Sequence, residues 1–312
     1  MMHWKKLGLV FSPAQGAAWM RSHAQVPTPI VCDGFLRVYF SSRPERTLSL
    51  TSYVDLDVDD PTRIVKIGSD PILQPGPPGT FDEHGIMPSS AVRVGSKVYL
   101  YYSGWSRSSS VPYINSTGLA ISEDGGKTFH KVSEGPILSR DRMNPYSATS
   151  PCVLHQGDRW SMWFCSGTGW TKVGSKFEHI YDIKHAISAD GLTWTTSPMP
   201  AVKQRDPLEA ITRPFVWQNG GGSVMMFCYR GSRDFRDGTE AYRMGAAIST
   251  DGVTWHRDDQ FAGLLPSTEG WDARMVAYPA VVACGPKTYL FYNGNDFGAE
   301  GFGCALLSDS AK

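Results

Sequence analysis

Apolar positions in this 312-residue chain do not recur every three or four residues. They fall instead in short runs dense in aromatic and β-branched residues, broken by polar, glycine-containing turns. Leu36–Ser42, Val98–Gly104, Trp160–Gly167, Val224–Gly231 and Thr288–Gly294 are five such runs, each ending in small residues, and their composition predicts strands. Ahead of them stands a proline at a nearly constant interval: Pro29, Pro88, Pro151, Pro214 and Pro279, separated by 59, 63, 63 and 65 residues. A third strand is expected at Leu119–Ser122, His185–Ser188, Ala246–Ser249 and Cys304–Ser308. In the middle three copies it runs into Asp124-Gly125, Asp190-Gly191 or Asp251-Gly252, a pair suited to tight hairpins, and an aromatic (Phe129, Trp194, Trp255) follows.

About four strands per repeat give roughly twenty in all. A four-stranded antiparallel unit cannot bury both faces alone, whereas five arranged radially can. The expected fold is all-β, a five-bladed β-propeller of four-stranded antiparallel blades forming a single domain over 1–312. Its blades are expected at approximately 13–75, 76–138, 139–202, 203–266 and 267–312 plus 3–11. The last copy lacks a fourth strand of its own. Trp4–Phe11 resembles the stretch after each hairpin, such as Phe129–Leu138, and is expected to close the ring.

Charge narrows the partners. Lys plus Arg number 30 and so do Asp plus Glu, leaving no net charge and no general attraction to nucleic acid or anionic membranes. No apolar run reaches membrane-spanning length and the first residues are too short in their apolar part for a signal peptide, so a cytoplasmic protein without membrane insertion is expected. The six cysteines mostly lie inside predicted strands without metal-knuckle spacing and read as buried free thiols. The acidic run Asp55–Asp60 reads as a solvated turn, because it lacks the spacing and glycine of a calcium loop.

In a propeller the first strands line the central channel, so the segments before the five prolines should converge. They carry His23, Asp82, Glu83, His84, Tyr146, Glu209, Arg213, Asp272, Arg274 and Tyr278. Counted back from the prolines, Glu83 and Glu209 share one position and Asp272 lies close to it. Paired carboxylates at a pocket suit glycosidic chemistry, one as proton donor and one as base or nucleophile. Glu209 is the expected donor, Glu83 or Asp272 the base or nucleophile. Arg213, Arg274 and His84 are expected to orient substrate, with His23 a weaker candidate. The long loops between second and third strands add Trp105 and Trp170, which with Trp271 and Tyr146 suit stacking on sugar rings, and Glu240 and Arg243, which with Arg230 suit polar groups; Tyr278 is a further substrate-binding candidate. His23, His84, His179 and Glu178 are a conceivable metal set, but nothing resembles His-Glu-x-x-His, and no cofactor or metal is expected.

Ser22–Pro29, Asn144–Pro151 and Gly270–Pro279 carry a resemblance across essentially the whole chain to the five-bladed propeller glycosidase superfamily of glycoside hydrolase families 32, 43, 68 and 130. More narrowly, the chain is similar to family-32-like proteins found among bacterial surface-polysaccharide biosynthesis genes. The Ser-x-Asp-Gly hairpins at Ser122, Ser188 and Ser249 also resemble sialidase Asp boxes, which are turn devices. The Asn-Asp-Pro-Asn-Gly motif of family 32 is absent, and Gln25 and Thr28 stand where family 43 places a general-base Asp. The resemblance implies a glycoside hydrolase or glycosyl-transfer enzyme acting on a small sugar, anionic or nucleotide-linked. Phosphorolysis, served by Arg213, Arg230, Arg243 and Arg274, is one alternative. A noncatalytic carbohydrate-binding propeller and a lyase, isomerase or cyclase on the same scaffold are others. Oligomeric state is open.

Overall fold

The computed structural model describes residues 1–219, 221–236 and 238–308. The chain is nearly all strand. Strands β2 (Ser22–Val31), β3 (Phe35–Glu45), β4 (Leu48–Asp57) and β5 (Ile64–Ile67) form unit one, and β6 (Gly85–Val94), β7 (Lys97–Arg107), β8 (Tyr113–Ser122) and β9 (His130–Lys131) form unit two. One parallel bridge, Ser49 to Gly85, joins these two into a single eight-stranded sheet. Unit three is β10 (Ala148–Gln156), β11 (Arg159–Val173), β12 (Lys176–Ser188) and β13 (Thr195–Val202). Unit four is β14 (Ala210–Asn219), β15 (Gly222–Arg230), β16 (Arg243–Ser249) and β17 (His256–Arg257). In unit five, β18 (Ala277–Cys284), β19 (Lys287–Asn293) and β20 (Phe302–Leu307) are completed by the N-terminal strand β1 (Trp4–Phe11), antiparallel to β20. These sheets are the antiparallel, four-stranded units expected of a propeller.

Second strands are apolar on both faces because both are buried. Leu36, Val38 and Phe40 pack against Phe291, Phe302 and Cys304 of unit five, whereas Tyr39, on the opposite face, packs with Leu100 and Tyr102 of unit two. Tyr101 meets Trp160 and Met162, Trp163 meets Met225 and Phe227, and Met226 meets Val281 and Leu290. The cores therefore lie between consecutive sheets, and between the last sheet and the first.

The hairpins after the third strands are fixed by their own side chains. Asp124 accepts backbone N–H groups from Lys127 and Thr128 while Ser122 Oγ accepts Gly126 N, and Asp190 and Asp251 repeat the pattern. Gly126 has φ of 92°, and its carbonyl accepts both Tyr39 OH and Arg37 of the preceding unit. Arg37 also corrects one expectation. Asp55 does not lie in a solvated turn: it is 5% exposed and chelated by Arg37 at 2.7 and 2.8 Å.

A bulge recurs in every first strand. Gln25 pairs with Ser41, Met87 with Ser103, Thr149 with Cys165, Thr212 with Cys228 and Ala277 with Asn293, and beyond each pair the register slips. The residue after the pair is Val26, Pro88, Ser150, Arg213 or Tyr278, and all but Pro88 have φ between 51 and 57°. Its N–H points away from its own sheet to the preceding unit. Ser150 N donates to Ser103 Oγ at 3.0 Å, Arg213 N to Cys165 Sγ at 3.3 Å, Tyr278 N to Cys228 Sγ at 3.3 Å, and Val26 N to Asn293 Oδ1 at 2.8 Å. Pro88 has no N–H, so Ser41 Oγ donates instead to the Ile86 carbonyl, at 3.3 Å.

This register revises the proline repeat. The structural counterparts of Pro151, Pro214 and Pro279 are Pro27 and Ser89, not Pro29 and Pro88.

Candidate functional site

The bulged layer opens into a cavity of about 310 Å³, a size suited to a small molecule. Gln25, Val26, Met87, Thr149, Ser150, Thr212 and Tyr278 face it from all five first strands. Its walls come from the ends of second and third strands and the loops between them: Arg43 and Arg46 of unit one, Trp105 and Asn115 of unit two, Arg230, Phe235, Arg236 and Tyr242 of unit four. A larger cleft of about 580 Å³ lies at the outer side of unit two between Pro71–Pro77 and Phe129–Glu134. It gathers residues of one sheet only. The central cavity, which gathers residues of every sheet, is the better candidate.

Four guanidinium groups face this cavity, and among the described lining residues Glu178 is the sole carboxylate. Glu178, 5% exposed on β12, receives Arg236 in bidentate fashion at 2.5 and 2.9 Å. Arg230 is 3% exposed; its terminal nitrogens donate to Gly231 O, Ser232 Oγ and His179 O, its plane lies 3.8 Å from the Phe235 centroid, and its Nε has no partner. Thr149 Oγ1 and Asn115 Oδ1 are likewise unpartnered. His179 stacks on Trp170 at 4.1 Å, and burial, with the nearby Arg230 charge, pushes its pKa down to about 3. It is therefore a neutral ring at ordinary pH.

Of the residues expected from sequence, Trp105, Arg230 and Tyr278 line the cavity. Trp105 donates to Ser49 Oγ at 2.7 Å, and Tyr278 lies 5.6 Å from Tyr242. Arg213 sits just behind the bulged layer, 1% exposed, donating to the carbonyls of Ser89 and Pro27 and to Thr28 Oγ1 at 2.9 Å. It thus ties unit four to units one and two. Burial lowers its pKa to about 10. His23 bonds Ser22 Oγ at 2.9 Å and is pushed down to about 4 by burial and then by Arg43.

The three expected catalytic carboxylates are absent from the lining. Asp272 accepts Lys6 Nζ at 2.6 Å and Tyr292 OH at 2.9 Å, beneath a Trp271–Tyr292 stack. Asp82 repeats this geometry in unit two, with Lys131 at 2.6 Å, Tyr102 OH at 3.0 Å and a Phe81–Tyr102 stack. Counted from Ser89 and Pro279, Asp82 and Asp272 occupy one position, so the counterpart of Asp272 is Asp82, not Glu83. Glu209 is held by Arg257 at 2.8 Å through both oxygens and accepts Arg205 N. In all three the carboxylate precedes a first strand and its cation sits on a fourth strand. Glu83 accepts Gly79 N at 2.7 Å and lies 3.4 Å from His84, whose ring faces Trp105.

The other expected residues lie outside the cavity lining. Arg274 pairs with Asp296 at 2.7 Å, Glu240 with Arg233 at 2.7 Å, and Arg243 donates to the carbonyls of Ala241, Tyr242 and Arg274. Tyr146 is 41% exposed. No cluster of three or more His, Cys, Asp or Glu side chains able to hold a metal occurs among the described residues, His23, His84, His179 and Glu178 included. None of the described helices is long and apolar enough to cross a membrane. Sequence reasoning passed over Arg43, Arg46 and Arg236. Aligning the copies on Ser41, Ser103, Cys165, Cys228 and Asn293 is the signal that fixes the correct register.

No family model matches the chain. Among solved structures it is similar to a glycoside hydrolase (16% identity, all of this chain and 94% of that one, TM-score 0.77) and to a glycosyl hydrolase from Bacteroides ovatus (16%, 98% and 93%, TM-score 0.72). A variant of the GH32 beta-fructofuranosidase of Bombyx mori in complex with sucrose is more distant (16%, 94% and 63%, TM-score 0.60). At these identities the likeness establishes the fold, that of the glycosidase-like propellers. In sequence the chain is 34% identical over 310 residues to the uncharacterized protein Rv1502 of Mycobacterium tuberculosis strain H37Rv, covering 99% of this chain and 100% of that one. The same figures hold for protein MT1551 of strain CDC 1551. Matched end to end at this level, the protein belongs to the family of Mycobacterium tuberculosis Rv1502.

Proposed function

We propose that the chain is a single five-bladed propeller, with blades at 13–75, 76–138, 139–202, 203–266 and from 267 onward together with 3–11, and that its central cavity is the site of a glycosidase-like enzyme acting on a small sugar. Closure is supported by the bulge-layer hydrogen bonds, which run from each unit to the next and from Asn293 of the last to Val26 of the first. The enzymatic reading is supported by one observation above the rest: the equivalent positions of the five first strands meet around a pocket holding one described carboxylate, Glu178, among aromatic faces suited to sugar rings.

Glu178 takes the role of exchanging a proton with the glycosidic oxygen, a part sequence reasoning gave to Glu209. With a single carboxylate in the pocket, the attacking group at the anomeric carbon is an inorganic phosphate, whose oxyanion needs no base, or a water that releases its proton to solvent, rather than a second side chain. The bidentate hold of Arg236 on Glu178, like that of Arg257 on Glu209, favours a second reading, a noncatalytic sugar-binding propeller.

Incubation with activated and nucleotide-linked sugars, with and without phosphate, separates the two. Turnover that falls by about a hundredfold or more in Glu178→Gln supports the enzyme. Turnover unchanged in that variant removes Glu178 from the mechanism, and sugar binding without turnover by the unmodified protein leaves the binding reading.

A further inference from the structure

Arg43, near the end of β3, and Arg46, in the β3–β4 turn, face the cavity from unit one, while Glu178 and its partner Arg236 come from units three and four. We propose that Arg43 and Arg46 form an oxyanion subsite that recognises a carboxylate or phosphate carried by the bound sugar and so directs the rest of the molecule toward Glu178. The proposal rests on the reading of the cavity as a sugar site and names the class of sugar it takes.

Arg43 is the built part. Its Nε donates to Gln25 Oε1 at 3.1 Å, and Gln25 is itself 2% exposed at a bulged first-strand position, so the guanidinium plane is fixed from behind. Its two terminal nitrogens make no hydrogen bond to any described residue. That leaves open the fork that binds carboxylate or phosphate through two parallel hydrogen bonds. Arg46 is exposed at the rim and can follow a ligand into place.

Charge balance supports the assignment. The buried or half-buried cations Arg37 and Arg257 each have a carboxylate partner, as does the exposed Arg236, whereas the buried or half-buried Arg43, Arg213 and Arg230 form no ion pair among the described residues. Cations drawn out of water without a counter-ion are costly, and burial depresses the pKa of Arg43 and of Arg213 alike. An anionic ligand would supply the missing charge. Since the whole chain carries no net charge, this is a local concentration rather than a general basic surface. Asn115 Oδ1 and Thr149 Oγ1, also without partners, are placed to meet the hydroxyls of the same ligand.

Calorimetric titration of the full chain at fixed ionic strength tests this, with glucose, glucuronate, glucose 1-phosphate and inorganic phosphate as probes. At least one anionic sugar is expected to bind about tenfold or more tightly than glucose, a preference that collapses in Arg43→Gln and weakens in Arg46→Gln while Arg274→Gln, outside the cavity lining, retains it. Stronger binding of glucuronate identifies a carboxylate as the source, stronger binding of glucose 1-phosphate a phosphate, and phosphate alone binding as well as its ester identifies a co-substrate site. Equal affinity for neutral and anionic sugars, no binding by any probe, or a preference that survives in a folded Arg43→Gln protein overturns the proposal. Because binding is read without turnover, the subsite can stand when the enzyme reading fails. Turnover of neutral sugars alone would sink the subsite and leave the enzyme.

Discussion

Lys6 Nζ meets the Asp272 carboxylate at 2.6 Å across a sequence separation of 266, and Tyr292 OH binds the same oxygen from β19. The contact joins the outer strand of the last sheet to the loop that feeds its inner strand, so one ion pair spans the sheet and fastens the two ends of the chain. Asp272 is 2% exposed, and removing Lys6 would leave its charge buried with one hydrogen-bond donor fewer.

Lys6→Met is therefore expected to cost about 2–3 kcal/mol, or a fall of roughly 5 °C in melting temperature for a chain of this size. Deletion of residues 1–12 removes all of β1 and bares the β20 edge, and is expected to be far worse, giving aggregation at temperatures where Lys6→Met remains folded. Thermal melts and light scattering of the two forms check both. A deletion as stable as the full chain would contradict the structural role of β1.

The same logic applies to Glu209 and Arg257. Glu209→Gln and Arg257→Met should each destabilise by about 2 kcal/mol, and the double variant by less than their sum, giving a coupling of about 1 kcal/mol or more in denaturant titrations. Asp259, also bound by Arg257, keeps Arg205 as a partner in the double variant. Purely additive effects would contradict the clamp.

Cys228 accepts Tyr278 N through its thiol, in the place where Ser103 accepts Ser150 N through a hydroxyl. Cys228→Ser keeps an acceptor, whereas Cys228→Val leaves a buried N–H unpaired. The valine variant is expected to be less stable than the serine variant by about 1 kcal/mol, measured by chemical denaturation. The reverse order would show that the Sγ contact is incidental.

Strand content was legible because the aromatic second strands are buried on both faces and so carry a continuous apolar signal from Leu36 to Asn293. The pairing of Trp4–Phe11 with the last strands was legible too. The site was not, for two physical reasons. The bulge keeps one position in all five first strands but the proline does not, since unit two carries Ser89 there with Pro88 one residue earlier, so a proline count aligned Glu83 with Glu209 when His84 is the counterpart of Glu209 and Asp82 that of Asp272. Moreover, carboxylates that brace a sheet and one that lines the cavity look alike in sequence, and what separates them is where the cation lies: Lys6, Lys131 and Arg257 on fourth strands, Arg236 at the cavity wall. Arg43 and Arg46 went unnoticed because the end of β3 and the turn after it read as an ordinary hairpin.

Acid should destabilise the protein well before its surface carboxylates titrate. Burial, aided by Arg230, Arg159 and Arg43 respectively, holds His179 down at about 3 and His185 and His23 at about 4, whereas all three protonate near 6.5 once unfolded. Between about pH 4 and 6.5 the unfolded chain binds protons that the folded one does not, so stability rises with pH through that window. Asp182 opposes them: burial raises it to about 6, so from about pH 4 to 6 the folded state keeps a proton that the unfolded state has lost. Three histidines against one aspartate leave about two excess protons on the unfolded chain near pH 5, a slope on the order of 2 kcal/mol per pH unit. Asp190, lowered to about 2 by the backbone N–H groups of Thr193 and Leu192, adds its loss only as the pH falls below about 4. Melting temperature should therefore be level between about pH 7 and 8 and fall steadily from about 6.5 to 4, with a shallower slope in His185→Gln by one proton. A profile that stays flat to pH 4 would mean that these histidines are protonated in the folded state.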